Sequence, residues 1–156
     1  MKLVIRIAIA ATAMLAAAAH AQVTVKDAWV RATVPQQQAT GAFMQLQAAR
    51  DSRLVSARSP ITPTVEVHEM TLHDNVMRMR QVPAIDLPAG KTVDLKPGGY
   101  HIMLMNLTRT VTEGETVPLT LVFEYTDGQR ETLEVEAPVR PLTSRAAPAM
   151  HGGHRH

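Results

Sequence analysis

Cysteine is absent from this chain of 156 residues. The absence excludes thiol redox chemistry, cysteine nucleophiles and thiolate metal sites. It also excludes a blue-copper electron-transfer site, because such sites need a cysteine sulfur beside two histidines. Neither a Gly-x-Ser-x-Gly motif nor a zinc-protease helix is present, so no catalytic signature favours a hydrolase.

Long apolar runs are missing beyond the first residues of the chain. The chain begins Met-Lys-Leu-Val-Ile-Arg, continues with an apolar run over residues 7–19 and reaches Ala19-His20-Ala21. This small-x-small sequence is accepted by signal peptidases. We therefore predict that residues 1–21 are a signal peptide cleaved after Ala21. The mature protein is expected to be soluble and periplasmic, with no membrane insertion.

An excess of charge of one sign is also missing from the predicted mature chain. Lys2 and Arg6 leave with the leader, which reduces the 16 basic residues to 14 and equals the 14 acidic residues. This balance gives no argument for binding nucleic acid or anionic membranes. The length suits one globular domain, which we place at residues 22–140.

Short β-type segments separated by turn residues fill the chain from Val23 to Val135. Pro97-Gly98-Gly99 and Asp127-Gly128 are favoured turn sequences, and we find neither an amphipathic helix after the leader nor an internal repeat. Strands of this length and spacing predict an all-β antiparallel sandwich or barrel. The predicted strands cover residues 23–25, 28–34, 41–48, 65–71, 76–81, 92–95, 101–107, 119–125 and 132–135.

Methionine and histidine are concentrated in the middle of the chain. Five methionines fall within residues 70–105, together with neighbouring histidines. On a strand, residues i and i+2 point to the same face, so His101 projects together with Met103, and His68 with Met70. Imidazole and thioether groups suit Cu(I), because thioether sulfur is polarizable and binds hard cations poorly. If this region binds a metal, the pattern favours copper.

The same residues also fit structural roles. Met77 and Met79 alternate with two arginines, as in an amphipathic strand whose methionines face the core. His68 is out of phase with its apolar neighbours and would be an ordinary surface histidine. His73 lies in a predicted turn and would be solvated, and His101 would be a structural histidine in an apolar strand.

Four of these residues match a known spacing. The arrangement His68-x10-Met79-x21-His101-x-Met103 resembles the copper motif of the periplasmic PCu(A)C-type copper chaperones. Four positions at three fixed intervals are more specific than any single pair. The resemblance extends over about residues 25–135 and includes the segments 28–32, 40–44, 65–70 and 96–105.

The resemblance implies a cupredoxin-like β-sandwich of Greek-key topology that binds one Cu(I) near its surface, with His68, Met79, His101 and Met103 as ligands. It also implies delivery of copper to the dinuclear CuA centre of cytochrome c oxidase, alongside a Sco-type thiol protein. We therefore expect a metal-transfer protein rather than an enzyme. Two alternatives stay open: a copper-buffering or resistance protein without a dedicated acceptor, and a metal-free sandwich with methionines in its core.

The last segment, residues 141–156, offers little apolar surface to bury and ends with histidines among glycines. This composition predicts a flexible tail. Met150, His151, His154 and His156 carry donor atoms that could capture Cu(II), which prefers nitrogen ligands, before its reduction and transfer inward. A solubilising tail without a metal function explains the same composition.

Overall fold

The computed structural model of the protein describes residues 21–143, which form ten strands and no helix. The predicted leader up to His20 and the predicted tail from Ser144 onward lie outside the described residues. Within residues 21–143, no helix has the length and hydropathy needed to cross a bilayer. The strands are β1 Val23–Arg31, β2 Thr40–Ala48, β3 Ser52–Arg58, β4 Thr64–His73, β5 Val76–Gln81, β6 Ile85–Leu87, β7 Thr92–Leu95, β8 Tyr100–Met105, β9 Thr116–Tyr125 and β10 Arg130–Arg140.

The strands hydrogen-bond in the order β5-β4-β8-β7-β2-β1-β10-β9-β3-β6, and β8 also pairs with β2. Most neighbours are antiparallel. The parallel contacts are short: β1 meets β10 at Val30 and Val139, and β7 meets β8 at Leu95 and Tyr100. The predicted all-β fold is confirmed, with these two parallel contacts added to an otherwise antiparallel arrangement.

The hydrophobic core collects side chains from both halves of the strand order. Leu46 of β2 and Leu54 of β3 are fully buried, as are Leu121 and Phe123 of β9. In β9 every second residue is buried, which is the two-residue period of a strand with one face in the core. The two halves of the sheet therefore pack against each other around one core.

β5 lies at the edge of the sheet and contributes nothing to this core. All six of its residues are exposed, and the exposed fractions of Met77 and Met79 are 49% and 47%. The interpretation of these two methionines as core residues is wrong. Met77 and Met79 do alternate with arginine, but β5 is an edge strand that is exposed along its whole length.

The sequence prediction missed two strands and divided a third into two segments. The predicted segments 23–25 and 28–34 form one strand, β1, whose register shifts between Lys26 and Trp29. β3 was not predicted, because a register shift between Leu54 and Ser56 interrupts its alternation. β6 was also missed, since three residues are too few to show a period.

Two turns set the positions of the strands that carry the predicted ligands. Asp74 and Asn75 join β4 to β5, and both have positive φ, 49° and 61°. This combination is typical of a two-residue type I′ hairpin turn. Before β8, Gly98 has φ of 87°, and the Gly99 N–H donates to the Lys96 carbonyl at 3.0 Å. Glycine tolerates this conformation without a Cβ clash.

Candidate metal centre

The predicted ligands lie on three adjacent strands. The β4–β8 register places His68 opposite His101, and the β4–β5 register places Met70 opposite Met79. Directly opposed residues point to the same face of a sheet. His68, His101 and Met79 therefore share one face, and Val67, one residue along, points into the core.

Side-chain distances show how closely these residues approach. The ring centroids of His68 and His101 are 5.7 Å apart. Nε2 of His101 lies 3.0 Å from Sδ of Met79. Both histidines are buried, although they face away from the main core, whereas Met79 is about half exposed. The cluster thus combines two sheltered imidazoles with a thioether that solvent can reach.

Met103 completes the predicted set on the same face. It follows His101 by two residues, lies opposite Glu66 of β4 and opposite Gly41 of β2, and is partly buried. The structure therefore brings all four predicted residues to one face of β5, β4 and β8. His73, in contrast, lies at the hairpin turn with its side chain 73% exposed, as expected for a solvated residue.

The turn before β8 orients the His101 ring. Nδ1 of His101 lies 3.1 Å from the Gly99 carbonyl oxygen, which also accepts the Met70 N–H. A carbonyl can only accept, so Nδ1 carries the hydrogen and the neutral ring has its free electron pair on Nε2. That electron pair is directed at Met79 Sδ. Sequence spacing alone did not reveal this carbonyl, because its position depends on the turn.

The environment of His101 favours the neutral form of its ring, the form that can bind a metal. Burial lowers the pKa of its imidazole, and the neighbouring His68 lowers it further, while the hydrogen bond to the Gly99 carbonyl opposes the shift. Burial dominates because a charged ring is poorly solvated there. Neutral imidazole is the form that binds metals.

His68 has a different environment. Its Nε2 lies 2.7 Å from Oε2 of Glu66, two residues earlier on the same strand. Its Nδ1 is buried and has no hydrogen-bond partner among the described residues. The sequence prediction did not include Glu66. A signal was present, since residues i and i+2 of a strand share a face.

Two aromatic rings form a wall beside the histidines. Phe43 lies 6.3 Å from His101 and 4.6 Å from Trp29, measured between ring centroids, and both aromatic residues are buried. Both rings point away from the core. On β2, the neighbours of Phe43, Ala42 and Met44, are the residues that face the core. This wall excludes water from one side of the cluster and explains why His101 is desolvated.

The donor set suits a soft metal. Across residues 21–143, no three His, Asp or Glu side chains are grouped as a metal site. Calcium and magnesium prefer oxygen ligands, and zinc prefers nitrogen, oxygen or thiolate. An imidazole pair with thioethers instead matches the ligand preference of Cu(I).

Comparisons with known proteins identify the family of this chain. The family model described as Putative lipoprotein LpqE-like matches residues 23–139. The chain belongs to the LpqE-like family. A relative of this LpqE-like protein is the putative lipoprotein Lxx21020 of Leifsonia xyli subsp. xyli, which is 30% identical over 122 residues, 78% of this chain and 71% of the relative.

Solved structures similar to this chain include PCuAC domains and a protein in its Cu(I) form. The Cu(I) form of DR1885 from Deinococcus radiodurans is 37% identical, with a TM-score of 0.60, over 82% of this chain and 85% of that one. The copper-bound PCuAC domain from PmoF2 is 24% identical, with a TM-score of 0.61, over 78% and 94%. The predicted relationship to the PCu(A)C-type copper chaperone family is confirmed, and the fold is cupredoxin-like.

Proposed function

We propose that this protein is a periplasmic chaperone that binds one Cu(I) through His68, Met79, His101 and Met103 and delivers it to the CuA centre of cytochrome c oxidase. The observation that carries the proposal is the contact between His101 Nε2 and Met79 Sδ beside the opposed His68 ring. The similar protein DR1885, whose structure is described in its Cu(I) form, supports copper as the ligand.

The spacing of the two imidazoles suits a shared metal ion. Metal–imidazole bonds in zinc sites are about 2.0 Å long, and bonds of that order would hold two ring centroids about 5–6 Å apart. The separation between His68 and His101 is 5.7 Å. One ion can therefore bind both rings with little movement of β4 or β8.

The exposure of Met79 supports transfer rather than permanent storage. Two neutral imidazoles and two thioethers leave bound Cu(I) with a net charge near +1 and no thiolate ligand. Met79 lies on the exposed edge strand, so a thiolate of a partner can approach the metal from that side. Thiolate is a soft ligand that favours Cu(I), and the copper would pass to such an acceptor. A Sco-type thiol protein fits this role.

Export rests on the leader and on the relatives. Residues 1–21 have the pattern of a signal peptide, and the curated relative is named a putative lipoprotein. The 156 residues contain no cysteine to carry a thioether-linked lipid, so our proposal is a soluble periplasmic protein. Copper capture by Met150, His151, His154 and His156 would be an additional role of the tail.

Cu(I) competition with a colorimetric chelator tests the ligand set. Met79→Ala should weaken binding at least tenfold, because it removes one of four donors. Met77→Ala is the matched control: this methionine is on the same strand and face with similar exposure, and its removal should leave affinity within about twofold. Equal affinities of the two variants would contradict the proposed site.

Delivery needs an acceptor experiment. The Cu(I) form should lose its metal to the copper-free CuA domain of a cytochrome c oxidase when the two are mixed and then separated for metal analysis. Addition of a reduced Sco-type protein should increase the transfer. Retention of copper under both conditions would favour the buffering or resistance function instead.

A further inference from the structure

We propose that Glu66 is a positioning residue that fixes the His68 tautomer, so that His68 binds copper through Nδ1 whereas His101 binds it through Nε2. This inference rests on the proposed function. It concerns a carboxylate that lies in the cluster but is not one of the four predicted ligands.

The contact between Glu66 and His68 defines which nitrogen carries the hydrogen. Oε2 of Glu66 lies 2.7 Å from Nε2 of His68, a distance typical of a charge-assisted hydrogen bond. An ionised carboxylate only accepts, so Nε2 donates its hydrogen. The Glu66 and His68 side chains are 29% and 10% exposed, so water competes weakly for this bond.

The other ring nitrogen of His68 is then the one available to a metal. In the neutral ring with hydrogen on Nε2, the free electron pair lies on Nδ1. This atom is buried and has no hydrogen-bond partner among residues 21–143. Buried polar atoms are normally paired, and an unpaired one costs stability. A metal ion bound at Nδ1 would satisfy it.

His101 shows the opposite arrangement on the facing strand. Its Nδ1 is held by the Gly99 carbonyl and its Nε2 faces Met79. In each case the anchor lies two residues before the histidine: Glu66 is on β4, and Gly99 is in the turn directly before β8. Because the strands are antiparallel, the two anchors approach the ring pair from opposite directions. A backbone carbonyl reaches the nearer nitrogen, and a glutamate side chain reaches the farther one.

The carboxylate also affects the strength of the site. A carboxylate that accepts from a ligand imidazole orients the ring and raises its basicity, and loss of such a partner typically lowers metal affinity about 10–100-fold. Glu66 also lies opposite Met103, so its negative charge is next to a second predicted ligand. We therefore expect Glu66 to strengthen Cu(I) binding without ligating the metal.

Histidine ¹⁵N NMR of the copper-free protein tests the tautomer directly. At a pH where the rings are neutral, His68 should show hydrogen on Nε2 and His101 on Nδ1. Glu66→Ala should weaken the preference at His68 toward the mixture of tautomers that an unrestrained neutral imidazole shows, and it should leave His101 unchanged. Glu66→Gln keeps an acceptor oxygen and should retain the His68 tautomer. Hydrogen on Nδ1 of His68 in the unsubstituted protein would overturn the proposal.

Cu(I) competition titration of the same proteins tests the consequence. Glu66→Ala should weaken binding about 10–100-fold, and Glu66→Gln should weaken it less. Glu136→Ala, which removes an exposed carboxylate from β10, should bind like the unsubstituted protein. Tight binding by the unsubstituted protein with no loss in Glu66→Ala would overturn the role of Glu66 alone. Failure of the unsubstituted protein to bind Cu(I) would overturn the proposed function as well.

Discussion

His101 is the most constrained residue of the cluster. The Gly99 carbonyl holds one ring nitrogen, Met79 Sδ faces the other, and the Phe43 ring lies beside it. These contacts fix both the tautomer and the orientation of the ring before any metal arrives. Such pre-organisation reduces the entropy lost on binding.

The pH dependence of Cu(I) affinity follows from this environment. In the proposed site, protons would compete with Cu(I) for Nε2 of His101, and burial lowers the pKa of that ring below its ordinary value of about 6.5. Affinity should therefore be nearly constant at neutral pH and fall below about pH 6, while the thioethers do not titrate. Competition titrations between pH 8 and 5 measure this; constant affinity from pH 7 to 5 would contradict histidine ligation.

At the scale of elements, the packing of β2 against β8 supports the ligands. Gly41 lies opposite Met103, and a Cβ added at Gly41 would be 2.7 Å from Cζ of Phe43. The Phe43 ring is buried between Trp29 and His101 and has little room to move. The absence of a side chain at Gly41 therefore allows the Phe43 ring to pack directly against the backbone of β2.

Gly41→Ala should destabilise the fold by about 1–3 kcal/mol, because it overpacks a buried contact. It should also weaken Cu(I) binding, since displaced Phe43 presses on His101. Chemical denaturation and Cu(I) titration measure the two effects. Gly41→Ala should lower the free energy of unfolding less in a Phe43→Leu background than in the unsubstituted protein. An equal cost in both backgrounds would contradict the close contact.

Local sequence patterns predicted most strands, but they did not predict which strands are exposed or which groups contact the candidate ligands. The alternation of apolar and polar residues in β9 was sufficient to predict that strand. β3 was missed because its register shifts between Leu54 and Ser56. The spacing of His68, Met79, His101 and Met103 along the chain predicted the four candidate ligands. It could not show that Met79 lies on an exposed edge strand. Nor could it reveal the Glu66 carboxylate or the Gly99 carbonyl as ring anchors, because both depend on strand register and turn geometry.

At the scale of the whole molecule, the candidate site and the core are separate. The core fills the space between the two halves of the sheet, whereas the cluster lies on the opposite face of β4 and β8 and extends to the edge strand β5. At the proposed site, copper would enter and leave at one end of the sheet without opening the core. This arrangement suits a protein that exchanges its metal with partners.

X-ray absorption at the copper edge of the Cu(I)-loaded protein tests the central claim most directly. The claim is that two imidazoles and two thioethers from β4, β5 and β8 hold one ion. The spectrum should show a nitrogen shell at about 2.0 Å and a sulfur shell at about 2.3 Å, close to the distances of histidine nitrogen and cysteine sulfur from zinc. The sulfur shell should disappear in the double variant Met79→Ala, Met103→Ala. A spectrum without sulfur, or a sulfur shell that survives in the double variant, would contradict the account.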